Sequence, residues 1–494
     1  MSDATPTTPA SITVILKAIA DLNRQMLANG EQFRERGPTP LATLEFEQHV
    51  AGFLRECGRV TCEAVFNDLE PDGGASTPKQ IRHADETYRR RGKSRKAIAT
   101  SFGSIELRRC LYECLEPGED CIFPLEMDLG LEAQLATPAL AERVGRLVAD
   151  HEQAQVLRLL AEENNVKWSV DSLRKCSASL YEGLAGFREP AQVAKLLEAL
   201  RAAEESKGQH RPTLSCGRDG VMVPIRQSQT GYREASTATV SVLDRAGKRV
   251  TTVYLGRMPE AGQTTLTAEL TALLRAVLVA WHVAGQRLPR LSYVTDGGGH
   301  PRTYDRDVLL KMANPWQPGT CLQWQWVVDF YHACQHWWDV AEALFGSGKK
   351  ANRWYRKMRH RLRHQRGGIA NVLRSASQHR NRRQLGATRN EAFWKAYRYL
   401  RRHAAWMKYA KWRAAGLPIG SGVTEAACKT VFAQRLKRSG MKWTNEGGAV
   451  VIGLRVLALS GIWPTVFRER LQKSTQPKKG SSRSDQPKLV DLAA

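Results

Sequence analysis

Three acidic residues stand in sequence settings that suit two-metal phosphoryl-transfer chemistry. Asp219 lies within the strand-like run 214–225, Asp296 ends a second strand-like run, and Glu425 opens a helix after a glycine-rich turn. Two divalent ions held by carboxylates activate the attacking oxygen in phosphodiester chemistry and stabilise the leaving oxygen. Mg²⁺ prefers such oxygen ligands, and Mn²⁺ shares the preference. We therefore expect two ions, with Asp219 bridging both, Asp296 binding one and Glu425 the other.

Each of these acids also has a simpler explanation. Asp219 and Asp296 both precede a glycine, which is a turn pattern in its own right. A glutamate in the first turn of a helix, such as Glu425, is stabilised by the helix dipole. The order of the settings favours a common site, because an acid within one strand is followed by an acid ending a later strand and by an acid starting a helix beyond a basic segment.

A second group of candidates lies in the aromatic-rich segment 327–338. Asp329 and His332 are interpreted as accessory residues that lie beside the three acids and orient a phosphate or a water molecule. Packing in the protein core explains the same residues equally well. His332 and His336 are four residues apart and could share a helix face as zinc ligands, but no third ligand has a suitable spacing.

The chain contains ten cysteines, which indicate a reducing, intracellular setting because no charged-then-apolar leader precedes them. Cys110, Cys114 and Cys121, together with Cys57 or Cys62, are candidate zinc ligands. Their spacing is not CxxC, which favours buried thiols over a metal site.

Positive charge is concentrated in one part of the chain. The 494 residues include 74 Lys and Arg against 49 Asp and Glu, a formal net charge of +25. Residues 346–420 contain 21 Lys and Arg but only one acid, Glu391. A surface that served only solubility would mix both signs, so this asymmetry predicts a polyanionic partner, with DNA favoured. Aromatic residues are interleaved with the charges and could stack on unpaired bases, although most are expected to form the segment's own core.

Further basic residues are predicted to contact DNA at two other places. One set lies in a basic arm and on the third helix of a helix-turn-helix-like pattern within 137–184. For the helix-turn-helix-like pattern, helices that pack together without binding DNA are an equally good explanation. The other set follows Glu425 and would hold phosphates near the ions. The predicted nucleic-acid-binding residues are Arg89, Arg90, Arg91, Lys93, Arg95, Arg174, Lys175, Lys429, Arg435, Lys437, Arg438, Lys442 and Trp443.

The elements that must position these residues follow from the periodicity of apolar side chains. Strands are expected at 213–223, 236–243, 249–256, 291–295 and 323–328, with helices at 264–284 and 306–312. A βαβ crossover would set the strand ending at Asp296 parallel to an earlier strand, and if that neighbour is the first strand, Asp219 and Asp296 face each other. The fold class is therefore an α/β core with a mixed five-stranded sheet, interrupted by an all-α basic insertion and preceded by a mainly helical region with a small β-hairpin module.

Composition and turn residues also predict the domain boundaries. The expected parts are an N-terminal extension (1–38), a helix with a basic β-hairpin module (39–130), a helix-turn-helix-like DNA-binding domain (131–205), the first part of the core (206–335), the insertion (336–418), the last part of the core with Glu425 (419–465) and a disordered basic tail (466–494). The most apolar stretch, 272–285, is too short to span a bilayer, so no membrane partner is expected.

Several motifs in this order resemble bacterial insertion-sequence transposases of the DDE, RNase H-like type, Kra family, related to Mutator-like transposases. The resemblance covers roughly residues 95–465. Its most specific pieces are Phe102-Gly-Ser-Ile-Glu-Leu-Arg-Arg109, Asp128-Leu-Gly-Leu131, Asp219-Gly220, Thr295-Asp-Gly297, Asp329-Phe-Tyr-His332, Leu417-Pro-Ile-Gly-Ser-Gly-Val-Thr-Glu425 and Arg435-Leu-Lys-Arg-Ser-Gly-Met-Lys-Trp443.

The resemblance implies a catalytic triad of Asp219, Asp296 and Glu425 and an accessory motif at Asp329 and His332. It implies Mg²⁺-dependent transposition in the bacterial cytoplasm, with terminal inverted repeats and target DNA as partners and at least a dimer assembled on the DNA ends. Family members have a tighter cysteine pair where this chain has Cys110 and Cys114. A structure-specific nuclease and a non-catalytic DNA-binding regulator are the alternatives.

Overall fold

The computed structural model describes residues 10–70, 77–83, 86–116, 121–226, 229 and 231–475. These residues form two compact units. One unit consists of the described residues up to Ala185 together with those from Phe467 onward, and the other consists of Gly186–Val466.

The first unit combines helices with a three-stranded antiparallel sheet in the order β1-β2-β3. Its strands are β1 (Gln80–His83), β2 (Glu86–Thr100) and β3 (Gly103–Cys114), and its helices are α1 (Ala10–Arg36), α2 (Pro40–Asp68), α3 (Pro124–Asp128), α4 (Pro138–Asp150), α5 (Gln153–Asn164) and the first half of α6 (Val170–Glu204). The predicted basic arm is part of β2 and does not precede the hairpin. Pro40 begins α2 behind the capping hydroxyl of Thr39, because proline is well suited to the first turn of a helix.

The three helices predicted in the helix-turn-helix-like region are present as α4, α5 and α6. Asn165 ends α5 in a left-handed conformation, with φ of 51°. The Ser169 hydroxyl then accepts a hydrogen bond of 3.1 Å from the backbone N–H of Ser172 and so caps the start of α6.

The second unit is built on a mixed five-stranded sheet, which confirms the predicted fold class at that level. Its strands are β4 (Thr213–Pro224), β5 (Tyr232–Leu243), β6 (Arg249–Arg257), β7 (Arg290–Thr295) and β8 (Gln325–Val328). Its helices are α7 (Thr264–Val283), α8 (Gly299–Asp307), α9 (Phe330–Phe345), α10 (Lys349–His364), α11 (Gly368–Asn381), α12 (Ala387–Arg402), α13 (Tyr409–Ala414), α14 (Gly422–Ala427), α15 (Gln434–Leu436) and α16 (Asn445–Leu459). A π-helical turn over Cys428–Ala433 joins α14 to α15, and a last helix, α17, spans Trp463–Thr475.

The strand order is β6-β5-β4-β7-β8, with antiparallel pairing from β6 to β4 and parallel pairing from β4 to β8. One face of this sheet packs against α7, whose Leu266, Leu270 and Leu273 are fully buried in the same apolar cluster as Leu214 and Val240. Such burial contributes roughly 1.5–3 kcal/mol for each large apolar side chain. On the opposite face, Thr239 of β5 hydrogen-bonds to Thr424 of α14.

Among the described residues, one helical span, Ala261–Val283, is long and apolar enough to cross a membrane. The helices Asn445–Leu459 and Trp463–Lys473, which are bent relative to each other, are long and apolar enough only when they are taken together. The first of these contains α7. Its leucine stripe lies against the sheet, which is the arrangement of a core helix.

Two predicted elements differ from the structure. The helix predicted at 306–312 lies earlier, as α8, because Pro301 falls in its first turn, where its missing N–H costs nothing. The tail predicted as disordered from residue 466 continues α17 to Thr475, since Val466 and Phe467 are buried there. The rest of that prediction, 476–494, and the first nine residues of the predicted N-terminal extension lie outside the described residues.

Candidate active site

Asp219 lies in the middle of β4, whereas Asp296 and Asp329 directly follow β7 and β8, the next two strands in the parallel part of the sheet. The pairing of β4 with β7 ends at Cys216 and Tyr293, three residues before Asp219 and Asp296. The pairing of β7 with β8 continues to the last residue of each strand, where Thr295 pairs with Val328, and the Asp329 N–H then donates to the Thr295 carbonyl over 2.7 Å. The sheet thus brings together acids that are 77 and 33 residues apart in the chain.

Glu425 reaches the same region from α14. The thiol of Cys428, one helical turn after Glu425, lies 3.4 Å from the Asp219 carboxylate. Burial raises the pKa of Asp219, and the negative charges of Asp296 and Glu425 raise it further, against hydrogen bonds from the Gly220 N–H and the Cys428 thiol. The three predicted acids therefore share one electrostatic environment. Asp219 and Asp296 are half-buried, whereas Glu425 is exposed.

The helix carrying Glu425 comes close to the sheet at Gly217. Thr424, buried beside Glu425, hydrogen-bonds to Thr239 on β5 over 2.8 Å. A Cβ atom at Gly217 would overlap the Thr424 hydroxyl and lie only 2.8 Å from the Val294 carbonyl oxygen, closer than van der Waals contact allows. The absence of a side chain at Gly217 is what lets α14 lie against β4 two residues before Asp219.

Replacing Gly217 with valine is expected to lower the free energy of unfolding by about 2–3 kcal/mol, the usual cost of overpacking a tight contact. Chemical denaturation measures the change. Gly299→Ala is the matched control, because nothing lies within 4 Å of a Cβ atom at Gly299, and it should alter stability by less than about 0.5 kcal/mol. Equal stability of both variants would show that α14 does not depend on this close approach.

Asp329 organises the backbone around the site. It caps α9, where its carboxylate accepts a hydrogen bond of 2.6 Å from the His332 N–H, and its second oxygen accepts one from the Ser421 N–H. The adjacent Phe330 N–H donates to the Ile419 carbonyl over 2.8 Å. Asp329 is fully buried and joins the end of β8 to the loop that leads to Glu425. Each of its two oxygens accepts a hydrogen bond from a backbone N–H.

His332 lies on the side of α9 that faces α12. Its ring is 5.0 Å from that of His336 and 5.7 Å from that of Tyr399. The two histidines thus share a helix face, as predicted. Burial lowers the pKa of His336 to about 4, with His332 and His403 adding to the effect.

The three acids offer carboxylate oxygens, which are ligands that suit Mg²⁺ or Mn²⁺. The Cys428 thiol, which lies beside them, stays protonated. Burial and the neighbouring Asp219 raise the pKa of the Cys428 thiol well above its usual range. Within the part of the chain that the structure describes, no three His, Cys, Asp or Glu side chains are gathered as ligands of a single ion. The acids therefore face a common region without forming a closed metal centre.

The basic residues predicted to follow Glu425 divide into exposed and buried members. Lys429, Lys437 and Lys442 are exposed, and Arg438 is half-buried. Arg435 is only 1% exposed, with its guanidinium 5.1 Å from the centre of the Trp443 ring. The prediction that Arg435 contacts phosphates does not agree with this burial, since the residue packs in the interior beneath Trp443.

Trp443 is itself half-buried and forms an isolated parallel bridge with Ile225, directly after β4. Its N–H donates to the Pro224 carbonyl over 3.1 Å, and its indole N–H donates to the Leu436 carbonyl over 3.0 Å. Its indole N–H is engaged inside the protein.

Helix α10 concentrates the positive charge of the insertion on one side. Its buried stripe consists of Ala351, Trp354, Met358 and Leu362. The remaining surface exposes Lys349, Lys350, Arg353, Arg356 and Lys357, and none of these five forms an ion pair with an acid among the described residues. Cations without acidic neighbours are the pattern of a surface that neutralises phosphates.

Most aromatic rings of the insertion pack inside it, as the sequence indicated. Tyr409 is 1%, Trp412 7% and Trp354 8% exposed. Trp394 is the most accessible of the tryptophans there, at 37%, and so is the ring best placed for stacking on a base.

The first unit presents its own predicted DNA contacts. Arg89, Arg91, Lys93 and Arg95 are exposed along β2, as are Arg174 and Lys175 at the start of α6. Part of this charge is already balanced, because Arg91 pairs with Glu113, Arg95 lies 3.4 Å from Glu106 and Lys175 lies 2.9 Å from Asp171. Arg90 is half-buried and donates to the Thr77 carbonyl.

The candidate zinc ligands of the first unit differ in their exposure to solvent. Cys110 and Cys114 are buried on β3, whereas Cys121 is exposed. Burial and the nearby Glu70 raise the pKa of Cys110 to about 11, which disfavours the thiolate that zinc binds. The positions of Cys110 and Cys114 agree with buried thiols, whereas that of Cys121 does not.

Sequence reasoning did not identify four residues that shape the site, namely Gly217, Tyr399, His403 and Cys428. Tyr399 and His403 are four residues apart on or just after α12, so their shared helix face was the only signal available. Gly217 and Cys428 carried no distinct pattern, because their importance depends on what packs against them.

No protein-family model matches this chain, and no curated protein sequence matches it.

Proposed function

We propose that this protein is a DNA transposase of the DDE type, with an RNase H-like core like that of Kra-type insertion-sequence enzymes. The observation that supports this most strongly is that Asp219 on β4 and Asp296, directly after the adjacent parallel strand β7, share one electrostatic environment with Glu425 on α14. In that arrangement widely separated carboxylates can hold divalent ions beside a phosphodiester.

In the proposed mechanism Asp219, Asp296 and Glu425 hold Mg²⁺ or Mn²⁺, which when bound activates the attacking oxygen and stabilises the leaving oxygen. Asp219 lies within β4, and its carboxylate accepts a hydrogen bond of 2.8 Å from the Gly220 N–H. Asp296 is oriented by the Gly298 N–H, which donates to its carboxylate over 2.8 Å. The Ser421 hydroxyl donates a hydrogen bond of 3.3 Å to the Glu425 carboxylate. The backbone N–H of Ser421 in turn donates to the Asp329 carboxylate.

The remaining requirement is to hold DNA against this face. The cationic surface of α10 and the exposed Lys429, Lys437 and Lys442 supply sequence-independent phosphate contacts in the same compact unit. The exposed arginines of β2 and the start of α6 are the proposed readers of the terminal inverted repeats. Two ends must be joined in one event, so at least a dimer is expected on DNA.

The test begins with the DNA that flanks the coding sequence. Short inverted repeats bracketing it, themselves flanked by target duplications, would favour transposition. The purified protein should then cut DNA containing those ends and join them to a target in the presence of Mg²⁺, with binding that weakens steeply as salt rises. Cleavage without joining would indicate a nuclease, and binding without cleavage would indicate a regulator.

A further inference from the structure

Helix α12 of the basic insertion contacts the backbone of the loop that carries Asp296. The Tyr399 hydroxyl donates a hydrogen bond to the Asp296 carbonyl oxygen. His403, which directly follows the helix and is only 4% exposed, places its Nε2 atom 3.0 Å from the Gly297 carbonyl oxygen. Two neighbouring carbonyls of the loop are therefore held by side chains more than 100 residues away.

The loop fits closely against these two side chains. Gly297 has a φ of +85°, a conformation that favours glycine, and a Cβ atom there would lie 3.1 Å from the His403 ring and 3.3 Å from the Tyr399 hydroxyl. The Tyr399 ring is itself packed between His336, at 3.9 Å, and His403, at 4.4 Å between ring centres. Neither side chain is free to move away from the loop without disturbing this stack.

We propose that Tyr399 and His403 are positioning residues for Asp296, acting through the backbone of Asp296 and Gly297. This inference rests on the proposed function, because it assigns a role in metal binding to Asp296. Neither side chain touches the carboxylate. They restrict the loop so that the Asp296 carboxylate points to the region shared with Asp219 and Glu425. Because the loop is already restricted, it loses less conformational entropy when an ion binds.

The same helix, α12, belongs to the core of the insertion and also contacts the loop of Asp296. Arg398, Arg401 and Arg402 are exposed on α12, while Phe393 and Leu400 anchor it in the core of the insertion. The helix that contacts the Asp296 loop therefore also exposes three arginines to solvent. A merely structural role for Tyr399 would act on folding alone and would not single out metal affinity.

Tyr399→Phe removes the hydroxyl and keeps the packed ring. We expect the half-saturating Mg²⁺ concentration for strand cleavage to rise about fivefold to tenfold, the loss of one hydrogen bond, with unchanged affinity for DNA. Mn²⁺ binding to the full-length protein, measured by electron paramagnetic resonance, should weaken by a similar factor. Tyr112→Phe is the control, since the Tyr112 hydroxyl also donates to a buried carbonyl, that of Pro78, in the other compact unit.

His403 is tested by two conservative replacements. His403→Gln keeps a donor near the position of Nε2, which faces Gly297, whereas His403→Asn keeps one near Nδ1, which faces the Tyr399 carbonyl at 2.9 Å. The proposal expects better Mn²⁺ binding in the glutamine variant than in the asparagine variant. The reverse order would overturn the role of His403.

Amide hydrogen exchange in the loop 295–299 separates this inference from the proposed function. Exchange there should be faster in Tyr399→Phe than in the wild type and unchanged in Tyr112→Phe. If the wild type cuts no DNA, the proposed function fails, but faster exchange with weaker Mn²⁺ binding would still support the role of Tyr399. Unchanged exchange together with unchanged Mn²⁺ affinity would overturn the inference whether or not the protein cuts DNA.

Discussion

Replacing Asp296 with asparagine is expected to lower the rate of Mg²⁺-dependent strand cleavage by roughly 10³-fold, because losing a metal-binding carboxylate removes several kcal/mol of charge stabilisation in the transition state. The amide is nearly the same size as the carboxylate and can still accept the Gly298 N–H, so the fold should be kept. Cleavage and joining of end-containing DNA, measured at saturating protein, give the rate. Binding to the same DNA should stay sensitive to salt and retain its affinity.

The control for this prediction is Asp307→Asn. Asp307 is an exposed aspartate in the same compact unit, paired at the surface with Arg306 at 2.6 Å. It undergoes the same chemical change without being near the three acids, so its cleavage rate should equal that of the wild type. Unchanged cleavage in Asp296→Asn would remove Asp296 from the mechanism, and an equal loss in both variants would point to a general effect of charge.

Replacing Asp329 with alanine is expected to destabilise the protein by about 3 kcal/mol. The change leaves the N–H groups of His332 and Ser421 without their acceptor, and each buried donor left unpaired costs about 1–3 kcal/mol. Because Ser421 directly precedes the helix of Glu425, the variant should also lose strand cleavage more severely than stability alone explains. Chemical denaturation and the cleavage rate, both measured well below the unfolding midpoint, separate the two effects.

Asp339→Asn is the matched control for Asp329. Asp339 lies on the same helix, α9, but is exposed, so its replacement should change stability by less than about 0.5 kcal/mol. Asp329→Asn should lie between the control and the alanine variant, because the amide oxygen keeps one acceptor for two donors. If Asp329→Ala were as stable as the control, the carboxylate would not be what joins β8 to the loop before Glu425.

Local patterns in the sequence were sufficient for most elements of the second unit. The five strands were placed within a few residues, and the parallel pairing of β7 with β4 followed from the βαβ crossover through α7. These features depend on residues close together in the chain, where apolar periodicity and turn residues act directly. Boundaries failed where burial decided them, as in α17, whose Val466 and Phe467 are anchored in the interior.

The same distinction applies to charged side chains. The sequence shows that 346–420 is basic, but it does not show which cations face outward. On α10 the buried stripe is regular, so the exposed lysines and arginines could be identified from spacing. Arg435 could not be, because its burial depends on the packing of Trp443 and of the neighbouring helices against it.

By itself the sequence determined which acids are candidate metal ligands, which strands and helices carry them and which segment is positively charged. Only the tertiary structure decided that Asp296 and Asp329 follow strands that lie side by side next to the strand of Asp219, that Gly217 leaves room for the helix of Glu425, and that Tyr399 and His403 reach the loop of Asp296. The physical reason is that strand register and helix packing depend on contacts between residues tens to hundreds of positions apart, and no local periodicity records which partner a side chain will meet.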